Sequence, residues 1–187
     1  MDLPASSGAA SDRLSPGRQS MATITLKGNP ITTSGNLPPI GSKAPDFTLV
    51  GEDLQDVSLG TFKGKKKILN IVPSLDTSVC ATSARTFNAR AKEIPNCAIF
   101  MVSSDLPFAA ERFRSNEGLT DIITLSMMRS RAFARDYGVL LTSGPLAGIC
   151  ARAVVVLDEN DKVVHTELVS EIAREPNYDL VLAAIKN

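Results

Sequence analysis

Tryptophan is absent from this 187-residue chain, histidine occurs once, and cysteine occurs only three times, at 80, 97 and 150. A lone histidine, with no CxxC or HxxxH spacing to go with it, excludes a structural zinc site, and no metal or other cofactor is expected. Three cysteines, an odd number without short paired spacing, do not make a disulfide scaffold, so a reducing, cytoplasmic compartment is the expected home. Apolar runs of eighteen or more residues are missing too, and with them any segment expected to span a bilayer. Neither charge is in excess: twenty Lys and Arg balance twenty Asp and Glu. No overall field draws such a chain to nucleic acid or to an anionic membrane surface, and a small diffusing substrate fits better.

What is present points to one globular domain, since 187 residues with 43% hydrophobic content bury one sizeable core and not two. Residues 1–20 carry five Ser, two Gly and two Pro without an apolar core, which reads as a disordered tail rather than a secretory signal. The folded domain is expected over 21–187. TITLKGNPITT (23–33) sets Gly28-Asn29 between β-branched runs, an N-terminal hairpin. Short strands are expected at 47–50 and 57–59, and KKILNIV (66–72) has the unbroken apolar character of a strand buried on both faces.

A helix is expected from about Ser78 to Glu93, closed by Pro95. A strand over 97–104, a helix from Pro107 to about Asn116, a strand over 122–125 and a helix over 129–137 ending at Gly138 follow. After a loop, ARAVVVLD and KVVHTELV flank the turn at 159–161 as an antiparallel pair, with His165 on the strand surface, and Pro176 opens a last helix to 186. Strand–helix alternation, then a hairpin and a C-terminal helix, is the order of a thioredoxin-like α/β fold: a central mixed sheet flanked by helices, here with an N-terminal β-hairpin.

The chemistry concentrates at the junction PSLDTSVC (73–80). A cysteine in the first turn of a helix faces unpaired backbone N–H groups and the positive end of the helix dipole, which favour thiolate over thiol. A thiolate is a peroxide nucleophile. Asp76 opposes this if it lies close, unless it caps the helix. Thr77 is near enough for its hydroxyl to serve whatever binds at the sulfur, and Pro73, without an N–H, can close over the pocket and add no competing donor. A buried, inert Cys80 behind a merely capping Thr77 is the alternative.

Pro-x-x-x-Thr-x-x-Cys at a strand-to-helix junction resembles the active-site motif of the peroxiredoxins. SSDLPFAAERF (103–113), GPLAGICARAVVVLD (144–158), LNIVPSLDTSVC and the opening hairpin resemble the matching stretches of bacterial thiol peroxidases, the atypical two-cysteine branch of that family, over about residues 22–187. The resemblance implies a thioredoxin fold, a homodimer, and reduction of hydrogen peroxide and organic hydroperoxides by thioredoxin or another thiol reductant. Residue by residue it makes Cys80 the peroxidatic cysteine, with Thr77 and Pro73 shaping its pocket and Arg152 supplying a guanidinium. A fixed cation there would stabilise the thiolate and the charge developing on the peroxide oxygen.

One position departs from the pattern: where this branch usually carries its resolving cysteine, the chain has Arg114. A sulfenic acid on Cys80 must then be met by an external thiol or by another cysteine of the chain, or be over-oxidised. One-cysteine turnover is the leading expectation. Cys150 is a possible resolving thiol, two residues before Arg152 and on the same face if that segment is a strand; Cys97, at the start of a buried-looking strand, reads as core. The competing reading of the whole is a redox sensor that oxidises at Cys80 without efficient turnover.

Overall fold

The computed structural model describes residues 20–186, so the expected tail lies outside the described residues except for Ser20. Strands β1 (Thr23–Leu26) and β2 (Asn29–Thr32) form the expected hairpin, paired antiparallel from Thr23↔Thr32 to Leu26↔Asn29. Its turn is Lys27-Gly28 rather than Gly28-Asn29. Both turn residues have positive φ, 51° and 80°, as a tight two-residue connection between right-twisted strands requires. The Glu171 carboxylate accepts the N–H groups of Lys27 and Gly28 and the Thr25 hydroxyl, pinning the turn to the far end of the chain.

The remaining strands are β3 (Leu49–Val50), β4 (Asp56–Val57), β5 (Lys66–Ile71), β6 (Cys97–Ser103), β7 (Ile123–Ser126), β8 (Ala153–Leu157) and β9 (Val163–Leu168). They make one sheet in the order β4-β3-β7-β6-β5-β8-β9. Strands β5, β6 and β7 run parallel, while β8 pairs antiparallel with β5, and β9 with β8. The helices are α1 (Ser78–Arg90), α2 (Pro107–Asn116), α3 (Ala132–Asp136) and α4 (Tyr178–Lys186). This is the expected thioredoxin-like fold with a mixed central sheet.

The unbroken apolar run of β5 follows from its central place, since both its faces are covered. Ile68 packs with Phe87 of α1 and with Val181 and Ile185 of α4, whereas Leu69 and Ile71 pack with Phe133 of α3, with Tyr137 just after it, and with Ile24 and Ile31 of the hairpin. Each such side chain contributes roughly 1.5–3 kcal/mol by leaving water.

Several element ends move from their expected places for local reasons. α3 starts at Ala132, not 129, because residues 127–130 close a turn and the Ser130 hydroxyl takes the Ala132 N–H. It ends before Gly138, where φ is +68° and a Cβ would sit 2.1 Å from the Asn36 carbonyl oxygen. α4 starts two residues past Pro176, where Asn177 Oδ1 accepts the Leu180 N–H. The strand expected at 57–59 covers 56–57 only, because Leu59–Phe62 coils into a 3-10 turn.

Candidate active site

Parallel strands end on a common edge, so the segments that follow β5, β6 and β7 are neighbours whatever their separation in sequence. The antiparallel β8 starts at that same edge: Ala153 pairs with Ile71, the last residue of β5. Arg152, just ahead of β8, is thereby delivered beside the segment leading to α1. β9 ends there too, with Leu168 opposite Ala153, and the Val169 N–H donates to the Arg152 carbonyl at 3.0 Å.

Cys80 is the third residue of α1, 0% exposed, and packed among Leu75, Ala84 and Val154. Arg152 Nη2 lies 3.2 Å from its sulfur, across 72 residues of sequence. Arg152 as a whole is only 2% exposed. Its Nε donates to the Ile172 carbonyl at 2.9 Å, which fixes the plane of the group, and Nη1 is buried without a hydrogen-bond partner among the described residues. Burial of a charge at this depth is costly unless it is paired; the partners here are a backbone carbonyl and a sulfur, with the Nη1 donors to spare among the described residues. No acidic residue stands in the first turn of α1.

The segment between β5 and α1 is tightly bonded. Pro73 is buried beside Val72 and Leu75. Thr77 is the N-cap, with extended backbone, but its exposed hydroxyl turns back to the Ser74 carbonyl at 3.0 Å instead of toward the sulfur. Asp76 does not cap; it is exposed, and its N–H donates to the Ser74 hydroxyl. Behind the helix, the Ser83 hydroxyl donates to the Cys80 carbonyl at 2.9 Å and accepts from Asn70 Nδ2 at 3.1 Å, so α1 is tied to the centre of the sheet just below the cysteine.

The other cysteines stand apart. Cys150 is fully buried in the core layer on the opposite face of the sheet, its Sγ 3.6 Å from Met127 Sδ, and burial pushes its thiol up to about 12. The strand alternation expected to align it with Arg152 does not operate, because β8 begins only at 153 and Cys150, Ala151 and Ala153 all pack into the same cluster. Cys97, half-buried at the start of β6, is pushed up to about 12 as well, chiefly by burial. All three thiols are free. His165 is half-buried on β9, opposite Val156.

Arg114 lies in the last turn of α2 and is not a loose surface charge. Its Nε and Nη2 grip both oxygens of Glu52 at 2.5 and 2.8 Å, and Nη1 donates to the Leu119 carbonyl. Thr124 of β7 donates to the same carboxylate at 2.7 Å.

Three parts of this arrangement lie outside the expectations from sequence. Ile172 contributes a backbone carbonyl, which leaves no mark on sequence. Asn70 was visible as the one uncharged polar residue inside KKILNIV. Asp105 of SSDLPF accepts from the Ser74 hydroxyl and the Leu75 N–H, both at 2.7 Å; an aspartate two residues before a helix-opening proline was its signal.

Comparison with known proteins agrees with the fold. The family model described as Redoxin matches residues 39–182. A thiol peroxidase of Mycobacterium bovis is 52% identical over 165 residues, covering 88% of this chain and 99% of that protein. The crystal structure of a peroxiredoxin-like protein from Aquifex aeolicus superposes with a TM-score of 0.83 at 41% identity, covering 89% of this chain and 97% of that one. A thiol peroxidase from Chromobacterium violaceum, 24% identical, shares the fold with a TM-score of 0.82 over 88% of this chain and 95% of its own.

Proposed function

We propose that Cys80 is the sulfur through which this chain, which belongs to the Redoxin family and is a thiol-dependent peroxidase, attacks its peroxide. The observation that carries this reading is the buried contact of Arg152 Nη2 with Cys80 Sγ at 3.2 Å. The contact and the first turn of α1 together stabilise negative charge on the sulfur, and the free Nη1 gives a donor for a peroxide oxygen. Thr77 and Pro73 act by shaping the entrance: Thr77, at the N-cap position, closes the 74–77 turn through its hydroxyl, and Pro73 packs without a competing N–H.

The cycle then runs as follows. The thiolate displaces one oxygen of the peroxide: an S–O bond forms, the O–O bond breaks, and the departing oxygen takes a proton to leave as water or alcohol. Cys80 is oxidised by two electrons to the sulfenic acid and the peroxide is reduced by two. An incoming thiol forms an S–S bond to Cys80 and expels the hydroxyl as water with the thiol proton. A second thiol attacks that disulfide and releases Cys80 as thiolate.

We read this as one-cysteine turnover, with thioredoxin or another external thiol as reductant. Supporting it are Arg114 at the usual resolving position, the ion pair that occupies it, and the seating of Cys150 across the sheet. A homodimer that pairs around the active site accounts for Phe108 and Leu106, 63% and 52% exposed at the start of α2 on the edge that carries Cys80. A reducing, cytoplasmic setting agrees with three unpaired cysteines. No helix among the described residues is long and apolar enough to cross a membrane.

Turnover separates this reading from a sensor. Excess peroxide and a thiol donor should give many molecules of alcohol per protein, and stoichiometric consumption that then stops would reverse the choice.

A further inference from the structure

We propose that Asp105 is a positioning residue: its carboxylate holds the segment before α1 closed over Cys80, and so sets the balance between reaction with peroxide and reaction with thiol. The proposal rests on the reading of Cys80 as the attacking sulfur. Oδ1 takes the Ser74 hydroxyl at 2.7 Å, and Oδ2 takes the Leu75 N–H at 2.7 Å and the Ser103 hydroxyl at 2.8 Å. Bonds to an ionised acceptor at such lengths are about twice as strong as neutral ones.

From Ser74 the bonding continues toward the sulfur. The Ser74 carbonyl takes the N–H and the hydroxyl of Thr77, and the Thr77 carbonyl takes the Ala81 N–H in the first turn of α1. Asp105 thus acts on Cys80 through its neighbours and does not touch it. Its own place is set by the rigid part of the fold: Ser103 at the end of β6 accepts its N–H at 3.2 Å, and Ser126 at the end of β7 donates to its carbonyl at 2.5 Å. The sheet therefore grips the reactive segment through one side chain.

The consequence follows from access. Cys80 is 0% exposed, so every reactant needs some opening, and a thiol, bulkier than hydrogen peroxide and needing to approach the sulfenic sulfur in line, needs the segment displaced much further. Beside the segment lies a cleft of about 250 Å³ bordered by Ser74, Leu75, Asp105, Ala109 and Phe113, which gives Leu75 room to swing. Releasing Asp105 disorders the pairing of Cys80 with Arg152 and, by the same motion, admits the thiol. The two half-reactions move in opposite directions.

The test compares Asp105→Ala, Asp105→Asn and Ser74→Ala with the native full chain. Three quantities are measured: the single-turnover rate constant with hydrogen peroxide, the rate constant for consumption of preformed sulfenic acid by β-mercaptoethanol, and the peroxide concentration that converts half the Cys80 to sulfinic acid. Loss of one charge-assisted bond corresponds to about tenfold. Asp105→Ala should therefore slow the peroxide step by about tenfold or more, speed the thiol step by a similar factor, and raise the half-conversion concentration. Asp105→Asn, which keeps one acceptor oxygen, should recover part of both shifts, and Ser74→Ala should show the same opposed shifts at smaller size. Should Asp105→Ala fail to fold by circular dichroism, the other two variants carry the same comparison. Both rate constants falling together, or both staying within twofold of native, overturns the proposal. A native chain whose Cys80 does not oxidise would instead overturn the reading on which it rests.

Discussion

Replacing Arg152 by methionine removes all five N–H donors of the guanidinium from a buried site and leaves an unbranched apolar side chain that ends at about the level of Nε. In the native site Nε serves the Ile172 carbonyl, Nη2 serves Cys80 Sγ, and Nη1 has no partner among the described residues. Leaving the Ile172 carbonyl unmet costs about 1–3 kcal/mol. Removing the guanidinium of a residue that is only 2% exposed recovers a desolvation cost of comparable size. The net change is on the order of 1 kcal/mol, which for a chain of this length moves Tm by about 2–4 °C. Catalysis has no such offset, since the charge beside the sulfur and the donor for the peroxide oxygen go together. A fall of ten- to a thousandfold in the peroxide rate constant is expected, about 1.4–4 kcal/mol of barrier. The chain has no tryptophan to report on the site, so the assay is rapid acid quench at set times, alkylation of remaining thiol, and mass analysis of the Cys80 peptide. Arg152→Lys should fall between, because one ammonium cannot meet the carbonyl and the sulfur in the same plane. A methionine variant within twofold of native, folded and melting within a few degrees, would refute the role given to Arg152.

Arg114→Cys should form a disulfide with Cys80 on peroxide treatment, resist over-oxidation, and gain thioredoxin-driven turnover, at a stability loss of about 1 kcal/mol for the broken Glu52 ion pair; Arg114→Met, which breaks the pair without adding a thiol, is the control in peptide mass mapping. The Glu171 carboxyl is held down from 4.5 to about 2 by the N–H groups of Gly28 and Ala173, by the Thr25 hydroxyl and by the Lys27 N–H. Its folded value is depressed, so its contribution is whole above 4.5 and lost as pH falls toward 2; the native chain should lose stability more steeply than Glu171→Gln across that window in urea titrations. Light scattering at micromolar concentration should give twice the mass of the chain, and a monomer mass would remove the dimer from the account.

The fold was legible where periodicity was strong. KKILNI, CAIFMVS and AVVVL are strands because their neighbours bury both faces, and α2 runs over the residues expected from Pro107. Ends were less legible, because they depend on single polar bonds such as Ser130 to Ala132 and Asn177 to Leu180. The meeting of Cys80 and Arg152 came from family resemblance; its physical cause, the register of Ile71 with Ala153, is a property of the sheet and not of either segment. Cys150 misled for the complementary reason: two residues' spacing implies a shared face only inside a strand, and the strand starts later. Thr77 was legible as a cap but not in the direction of its hydroxyl, which the turn at Ser74 decides.

The central claim, that Cys80 alone takes the oxygen from peroxide, is tested most directly by intact and peptide mass after one equivalent of hydrogen peroxide, with and without thiol, on the native chain and on Cys80→Ser. The account predicts one added oxygen on the Cys80 peptide, a mixed disulfide there when thiol is present, and an unmodified, folded Cys80→Ser protein without peroxidase activity. Oxygen on Cys97 or Cys150 in place of Cys80, or equal peroxidase activity in Cys80→Ser, would contradict it, and a Cys80–Cys150 disulfide in the native chain would contradict its one-cysteine form.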